Sequence, residues 1–558
     1  MPFKPMPAER CQRLKDAIER ALRAGFDPYR AAMGGKGSSI SEAARALEAQ
    51  GYQETRETLS RFVRAQEDRR AKGKPDWLPD WSLYTPPGVA PGQIRRGEVR
   101  RWLLSAAQDD TDIHPRFWAN LQAYATAIGA EILIGGFTYQ QIRHTDRATL
   151  AGTYRPEIRN FLRFDPVECG PVLFCAEMNT LPTAVRPLSG LLSYSRGRDA
   201  VFPHAKLAYQ TAPAPPGAPA ASLMTTGAVT VPNYVEKKAG RKAEFHHILG
   251  ATLVEVDGSG AAWCRQISAA SDGSFQDLDK VVRDGRVSSG HRIEAITFGD
   301  LHYPTIEEEV SGALWGRSED AMIEALRPKY AFIHDLVAFE ATSRHCAGDP
   351  LHRARMVRDG LSGVEGQIAG AARLLREIER DYCEPVVIYA NHDDRLLQWT
   401  RAQIDRGDVE NVAYWHRCNL AYYEALGAGD EEFNLFRWAL READARRLEG
   451  VGFVPRGGSF AICQDTGGGG IECGLHGDQG PNGARGSAAS FARMSRRITI
   501  GHTHSPEILD GVYVAGMTGN LDQGYNTGPS SWRRAHVVAY PNGKRAIVTQ
   551  DARGHWRA

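Results

Sequence analysis

Ile293-Glu294-Ala295-Ile296-Thr297-Phe298-Gly299-Asp300-Leu301-His302 is a short apolar run that breaks at a glycine and then delivers an acid and an imidazole two residues apart. Residues 293–298 read as a strand, and in extended chain positions i and i+2 share one side. Asp300 and His302 therefore point the same way, a hard oxygen donor beside a nitrogen donor, as a divalent cation requires. Four further stretches repeat the pattern. Residues 330–333 lead to His334-Asp335, and residues 385–390 lead to Asn391-His392-Asp393. Residues 471–475 lead to His476-Gly477-Asp478, and 497–500 lead to Gly501-His502-Thr503-His504. Each motif alone has a bland reading: a lone Asp-x-His is mostly chance, Asn-His-Asp is usually a turn, and Gly-His-x-His can be an ordinary loop. Taken in order, each behind a strand, they point to one crevice at the carboxyl edge of a sheet.

The order Asp-x-His, Asp, Asn-His-Asp, His, Gly-His-x-His resembles the signature of calcineurin-like metallophosphoesterases, the family of the SbcD and Mre-eleven repair nucleases. The match covers about 290–540. The whole-chain arrangement also resembles phage-encoded metallophosphatases with a helical N-terminus, including the DNA-transfer nucleases of T-five-type phages. The resemblance implies an α/β fold, a four-layer metallophosphatase β-sandwich flanked by helices, over 291–558. It also implies roles. Asp300, His302 and His504 would bind one metal, and Asn391, His476 and His502 the other. Asp335 would bridge cations about 3.5–4 Å apart. His392 would protonate the leaving oxygen, with Asp393 fixing its orientation and raising its basicity. Two positions depart from the family pattern: His334 and Ala390 stand where glycines usually precede the bridging Asp and the Asn-His pair. Asp349 is a second candidate for the bridge. His345 and His352 are candidates to line the crevice, with surface or packing roles as the bland reading.

Working outward, 558 residues suggest roughly three or four domains. With 42% hydrophobic and 24% charged residues and a mean hydropathy of -0.40, the composition is that of a soluble globular protein. A net charge of +1 gives no global pointer to nucleic acid or membrane. Nine cysteines without a CxxC pair argue against a disulfide framework or zinc ribbon and suit a reducing compartment. No signal peptide is visible, and no run approaches the ~18 apolar residues of a membrane span. The expected location is the cytoplasm, that of the host if the chain is phage-encoded.

Residues 1–75 carry 16 Lys and Arg against 10 Asp and Glu, a local excess of six. Helical spacing of Leu14, Ala17, Ile18, Ala21 and Leu22 marks a first helix. Ser41 is a cap for a helix with Ala43, Ala44 and Leu47, and Gly51 turns the chain into another over 54–66. Arg56, Arg61 and Arg64 on that last helix resemble the docking face of a helix-turn-helix unit. The bland reading is a small helical bundle with a solvated basic face. Residues 76–97 read as a linker. Residues 98–290 open with strand, helix and strand at 102–107, 117–128 and 131–137, an α/β accessory domain with a structural or recognition role. The adjacent His246 and His247 would point to opposite faces there and are poor joint ligands. The third region, 291–558, ends in strands at 512–515, 536–540 and 546–549.

The chemistry expected of this set is phosphodiester hydrolysis by a metal-bridging hydroxide, with His392 as general acid worth ~10²–10⁴-fold. Oxygen and imidazole donors without thiolates suit two Mn²⁺, with Fe, Zn²⁺ or Mg²⁺ as alternatives. The basic N-terminus favours DNA, because cations release counterions from phosphates. Arg344, Arg353, Arg355 and Arg358 form a candidate phosphate-tracking rim, or else a solvated helix face with partners such as Glu365. The leading expectation is a DNA nuclease. The alternatives are a small-molecule phosphoesterase and a DNA-binding regulator with a vestigial metal site. A homo-oligomer is expected from the family resemblance only.

Overall fold

A computed structural model of the chain describes residues 8–23, 39–50, 52, 53, 59, 62, 99–140, 151–340, 349–402, 408–466, 469–551 and 553–558. The chain divides into two compact units, Met1–Gln93 and Ile94–Ala558.

In the first unit the helix Ala8–Arg23 buries Leu14, Ala17, Ile18 and Ala21, one apolar stripe at three- and four-residue spacing. The helix Ser39–Ala49 packs against it and buries Ala43, Ala44 and Leu47. Ser41 lies inside this helix instead of capping it. Arg56, Arg61 and Arg64 lie outside the described residues, as do the linker 76–97, Arg344 and His345.

The second unit opens as the sequence predicts. The strands Arg100–Gln108 and Ala130–Phe137 pair in parallel, joined by the helix Pro115–Ile128. Pro115 starts that helix where no backbone donor is needed, His114 accepts the Phe117 N–H, and Gly129 ends it at φ 65°. Two antiparallel strands, Gly250–Val256 and Ala262–Ser268, and the short strand Leu162–Arg163 complete a five-stranded sheet.

Two larger sheets hold the C-terminal half. A six-stranded sheet runs in the order Gly452–Val454, Glu384–Ile388, Tyr330–His334, Ala295–Thr297, Ala535–Ala539 and Arg545–Thr549. Its first four strands are mutually parallel and are buried on both faces, which is why they read as continuous apolar runs. Ala331 and Ile333 face a core formed with the helix Val364–Ile378, while Phe332 faces the other way. Phe332, Val386 and Ile388 there share a core with Ile462 and Ile471 of a ten-stranded sheet and with Cys473 just beyond it. The two sheets thus lie face to face with helices on the outer side of the first, a mixed α/β architecture.

The ten-stranded sheet redraws the boundary placed at 290 from sequence. Its strands Ala461–Ile462, Ile471–Glu472, Arg497–Ile500, Val512–Val514 and Glu507–Leu509 continue into Tyr209–Ala212, Ala221–Thr225, Ala200–Phe202, Val172–Phe174 and Val167–Cys169. The pairing of Ile508 with Tyr209 joins the halves. Hydrogen bonding across that seam makes 94–558 one compact unit in place of an accessory domain and a separate catalytic one.

Candidate metal centre

Each motif singled out in the sequence leaves a strand and turns at the same edge. The turns are laced together: the Asp300 N–H donates to Gly516 O, the Leu301 N–H to His334 O and the His302 N–H to Asp335 O. Close approach makes two glycines necessary. A Cβ on Gly299 would meet the backbone of Met517 at 2.6 Å, and one on Gly501 would meet Asp300 Oδ1 at 2.2 Å. His536 supports the first turn by accepting the Gly299 N–H, with its other ring nitrogen 2.9 Å from Gln550 Oε1.

The side chains converge in two overlapping groups. Asp300, His302, Asp335 and His504 bring ligand atoms within 4.8 Å of one another, and so do Asp335, His476 and His502. Asp335 belongs to both. His504 Nε2 lies 3.0 Å from Asp300 Oδ2 and 3.1 Å from His302 Nε2, which is 3.7 Å from Asp335 Oδ2. His476 Nε2 lies 3.4 Å from Asp335 Oδ2 and 3.0 Å from Asn391 Oδ1, so the amide joins the second group. Asp349 stands apart: it is exposed and caps the helix Pro350–Arg358 through the Leu351 N–H. It is no bridge.

Three features fit a cation. First, nitrogen and oxygen acceptors face one another across about 3 Å, while Asp300 Oδ1 is buried with no hydrogen-bond partner among the described residues. Buried polar atoms are seldom left so. Second, the charge states suit ligation. Burial works to raise the Asp300 pKa, but the His504 hydrogen bond and the charges of His476 and His504 bring it to about 2. Asp335 is likewise held well below the carboxylate range: burial opposes this, and His476 and His392 outweigh it. Burial, then His476, lowers His502 to about 4, and burial with His392 lowers His302, leaving both rings neutral donors. Third, His302, Asp335, His502 and His504 take φ of 50°, 42°, 76° and 58°. Side chains in that left-handed region cost about 1–3 kcal/mol each and cluster at functional sites.

His392 enters from the third motif. Its ring packs edge-on to His302 at 4.4 Å, and its backbone N–H donates to Asp335 Oδ1. Its Nδ1 is 3.2 Å from Ala338 O and its Nε2 is 3.1 Å from an Arg395 guanidinium nitrogen. A carbonyl only accepts and a guanidinium only donates, so Nδ1 carries the proton and Nε2 the lone pair. The expectation that Asp393 orients this ring needs correcting. The Asp393 carboxylate turns away and accepts the Val337 and Ala390 N–H groups, bracing two of the ligand turns. Burial and the Asp335 charge push its pKa well up, so it is ill suited to raise the basicity of its neighbour.

Around these groups lies a cavity of about 550 Å3, lined by Asp335, His392 and His502 and by residues that sequence reasoning missed: Arg395, Arg485, Tyr525 and Trp532. Trp532 packs edge-on to His504 at 4.3 Å and lies 5.8 Å from Tyr525. Arg395 alone had a signal, three residues past His392 at a helix start. Arg353, Arg355 and Arg358 do not line this cavity; they lie on the exposed helix Pro350–Arg358, Arg353 and Arg355 with Asp408 and Asp349 at 3.9 and 3.8 Å and Arg358 paired with Asp359. His352 faces the Glu340 carbonyl. His246 and His247 lie away from the centre, His247 between Tyr234 and the Thr230 carbonyl.

No family model matches the chain, and no solved structure matches it. It is 32% identical over 481 residues to "Protein A1" of Escherichia phage T5, across 83% of this chain and 84% of that protein. The chain belongs to the protein A1 family. That relationship agrees with the phage-type arrangement noted in the sequence. Membership in the protein A1 family carries no reaction with it, so the chemistry must be argued from the side chains. Among the described residues, no helix is long and apolar enough to cross a membrane.

Proposed function

We propose that this protein is a two-metal phosphodiesterase acting on DNA, built on a metallophosphatase-type sandwich. One observation carries the reading: Asp335 is common to two buried ligand groups, the position from which one carboxylate reaches two cations. The facing sheets, with helices outside one of them, support the layering of that fold. A donor set of carboxylate, amide and imidazole without thiolate suits Mn²⁺, with Fe, Zn²⁺ or Mg²⁺ as alternatives.

Divalent cations held there would supply charge neutralisation on the phosphate and a lowered pKa for water. The protein supplies the rest. Arg395 and Arg485 line the cavity as donors for phosphate oxygens, and Arg395 also pairs with Glu340 at 3.0 Å. While Arg395 faces His392 Nε2, that atom holds a lone pair. A phosphate that draws Arg395 away frees Nε2 to take up a proton and pass it to the leaving oxygen. Tyr525 and Trp532 offer ring surface for a sugar or base.

DNA is favoured by the basic excess in residues 1–75. A small-phosphoester enzyme is the second reading, since about 550 Å3 is the size of a small-ligand site. A plasmid-nicking assay with Mn²⁺, on wild type and His392→Ala, separates them. Nicking that the variant loses supports the DNA reading. Turnover of a chromogenic phosphodiester without nicking supports the second, and DNA binding with neither activity would leave a regulator with a vestigial site.

A further inference from the structure

The carboxyl ends of the strands carry the metal centre. A second cavity, of about 750 Å3, shares no lining residue with the first. The strand Arg497–Ile500 connects them: Arg497 lines the second cavity and His502, just past the strand, lines the first.

Its lining is unbalanced. Lys206, Arg496, Arg497, Lys544 and Arg545 face it against one carboxylate, Asp510, among the described residues. Asp510 is engaged, with Lys206 Nζ at 2.5 Å and His246 Nε2 at 3.7 Å, and Arg496 reaches Glu472 only at 4.0 Å. Arg545 is 4% exposed, yet among the described residues its hydrogen bonds go to neutral acceptors, Ile498 O, Thr499 Oγ1 and Gly511 O, and it lies 4.1 Å over the Tyr513 ring. Lys544 is half-buried, and its ammonium has no ion-pair partner among the described residues. Burial, then the Arg497 charge, pulls Lys544 below the usual ammonium range, and burial takes Arg545 to about 10. Cations withdrawn from water without counter-ions cost free energy that an anion would recover.

The lining also holds apolar side chains. Phe245 is 83% exposed at the cavity, its ring 5.0 Å from His246, near Leu207 and Ile248. An exposed phenyl ring facing a cationic recess suits a ligand with a flat aromatic end and a phosphate end, and the volume is within the ~300–1,000 Å3 of small-ligand sites.

We propose that this cavity is a second site, separate from the metal centre, that binds a nucleoside monophosphate, with the phosphate against Lys544 and Arg496 and the base on Phe245. Titration calorimetry of the full chain in EDTA, with 2′-deoxyadenosine 5′-monophosphate and with inorganic phosphate, tests it. Saturable binding of the nucleotide is expected. Lys544→Glu and the more exposed Arg496→Glu should each weaken both ligands at least tenfold. Phe245→Ala should weaken the nucleotide and leave phosphate unchanged, and Asn391→Ala should leave both unchanged. The proposal is overturned if wild type gives no saturable heat, or if both charge reversals bind like wild type while melting normally. Loss of binding in Asn391→Ala would overturn it too, by placing the ligand at the metal centre. So would oligonucleotide affinity that rises with length and depends on Lys544, since the surface would then be a nucleic-acid track.

Discussion

The Nε2 atoms of His302 and His504 stand 3.1 Å apart, and each also faces a carboxylate, Asp335 at 3.7 Å and Asp300 at 3.0 Å. One proton cannot satisfy four such atoms, whereas one cation can. His504→Ala removes a donor from one group, and Asp335→Ala removes one from both. After reconstitution with Mn²⁺ and desalting, elemental analysis should find about one equivalent lost in the first variant and about two in the second. Equal losses would remove Asp335 from the bridging position.

His392 touches the ligand cluster without belonging to either group. His392→Ala is therefore expected to keep its metal and lose ~10²–10⁴-fold in kcat on a phosphodiester with a poor leaving group. A chromogenic ester with a good leaving group should suffer much less, because its departing oxygen needs no proton. Equal losses on both substrates would contradict the general-acid role.

Asp393 accepts two backbone N–H groups in the buried turns, while the His392 ring faces Ala338 O and Arg395. Its truncation to Ala leaves both donors unsatisfied, a loss of about 1–3 kcal/mol. Urea denaturation should show that loss. Asp393→Asn, which keeps one of the two acceptor oxygens, should recover only part of it.

Far from the centre, Arg265 is buried between Glu255 and Asp277, and Arg101 reaches Glu255 at 2.8 Å. Burial works to raise the Glu255 pKa, but Arg265 and Arg101 outweigh it and hold the folded-state value below the ordinary 4.5. A depressed carboxyl stabilises the fold above its unfolded pKa and loses that contribution as pH falls through the folded value. Thermal melts of wild type and Glu255→Gln should differ most above pH ~5 and converge towards acid. A gap that widened on acidification would reverse the sign.

The basic N-terminal residues Arg56, Arg61 and Arg64 give a salt-dependent test. If they neutralise DNA phosphates, each reversal to Glu should weaken affinity for all sequences alike. It should also reduce the slope of log K against log salt by about 0.9 for each phosphate left without its arginine. Fluorescence anisotropy on two unrelated duplexes measures both. An unchanged slope would leave these arginines as a solvated face.

Much of the centre was legible because its signal is local. An apolar run followed by a ligand is readable within ten residues, and five such runs in order name Asp300, Asp335, Asn391, His476 and His502 together. The role of Asp393 was not legible, since adjacency to His392 in sequence says nothing of where a carboxylate turns. Nor were Arg485, Tyr525 and Trp532, which reach the cavity from loops without regular periodicity.

The sequence by itself determined which acids, amides and imidazoles follow the apolar runs of the centre, because periodicity and ligand chemistry are written within short windows. Only the tertiary structure decided that Tyr209 pairs with Ile508, so that chain from before and after residue 290 shares one sheet. It alone decided, too, that Asp335 lies in both ligand groups and that the Arg497 end of one strand opens into a cationic recess. Those outcomes depend on pairings between residues hundreds of positions apart, whose energies come from burial and hydrogen bonding across sheets and leave no mark on neighbouring letters.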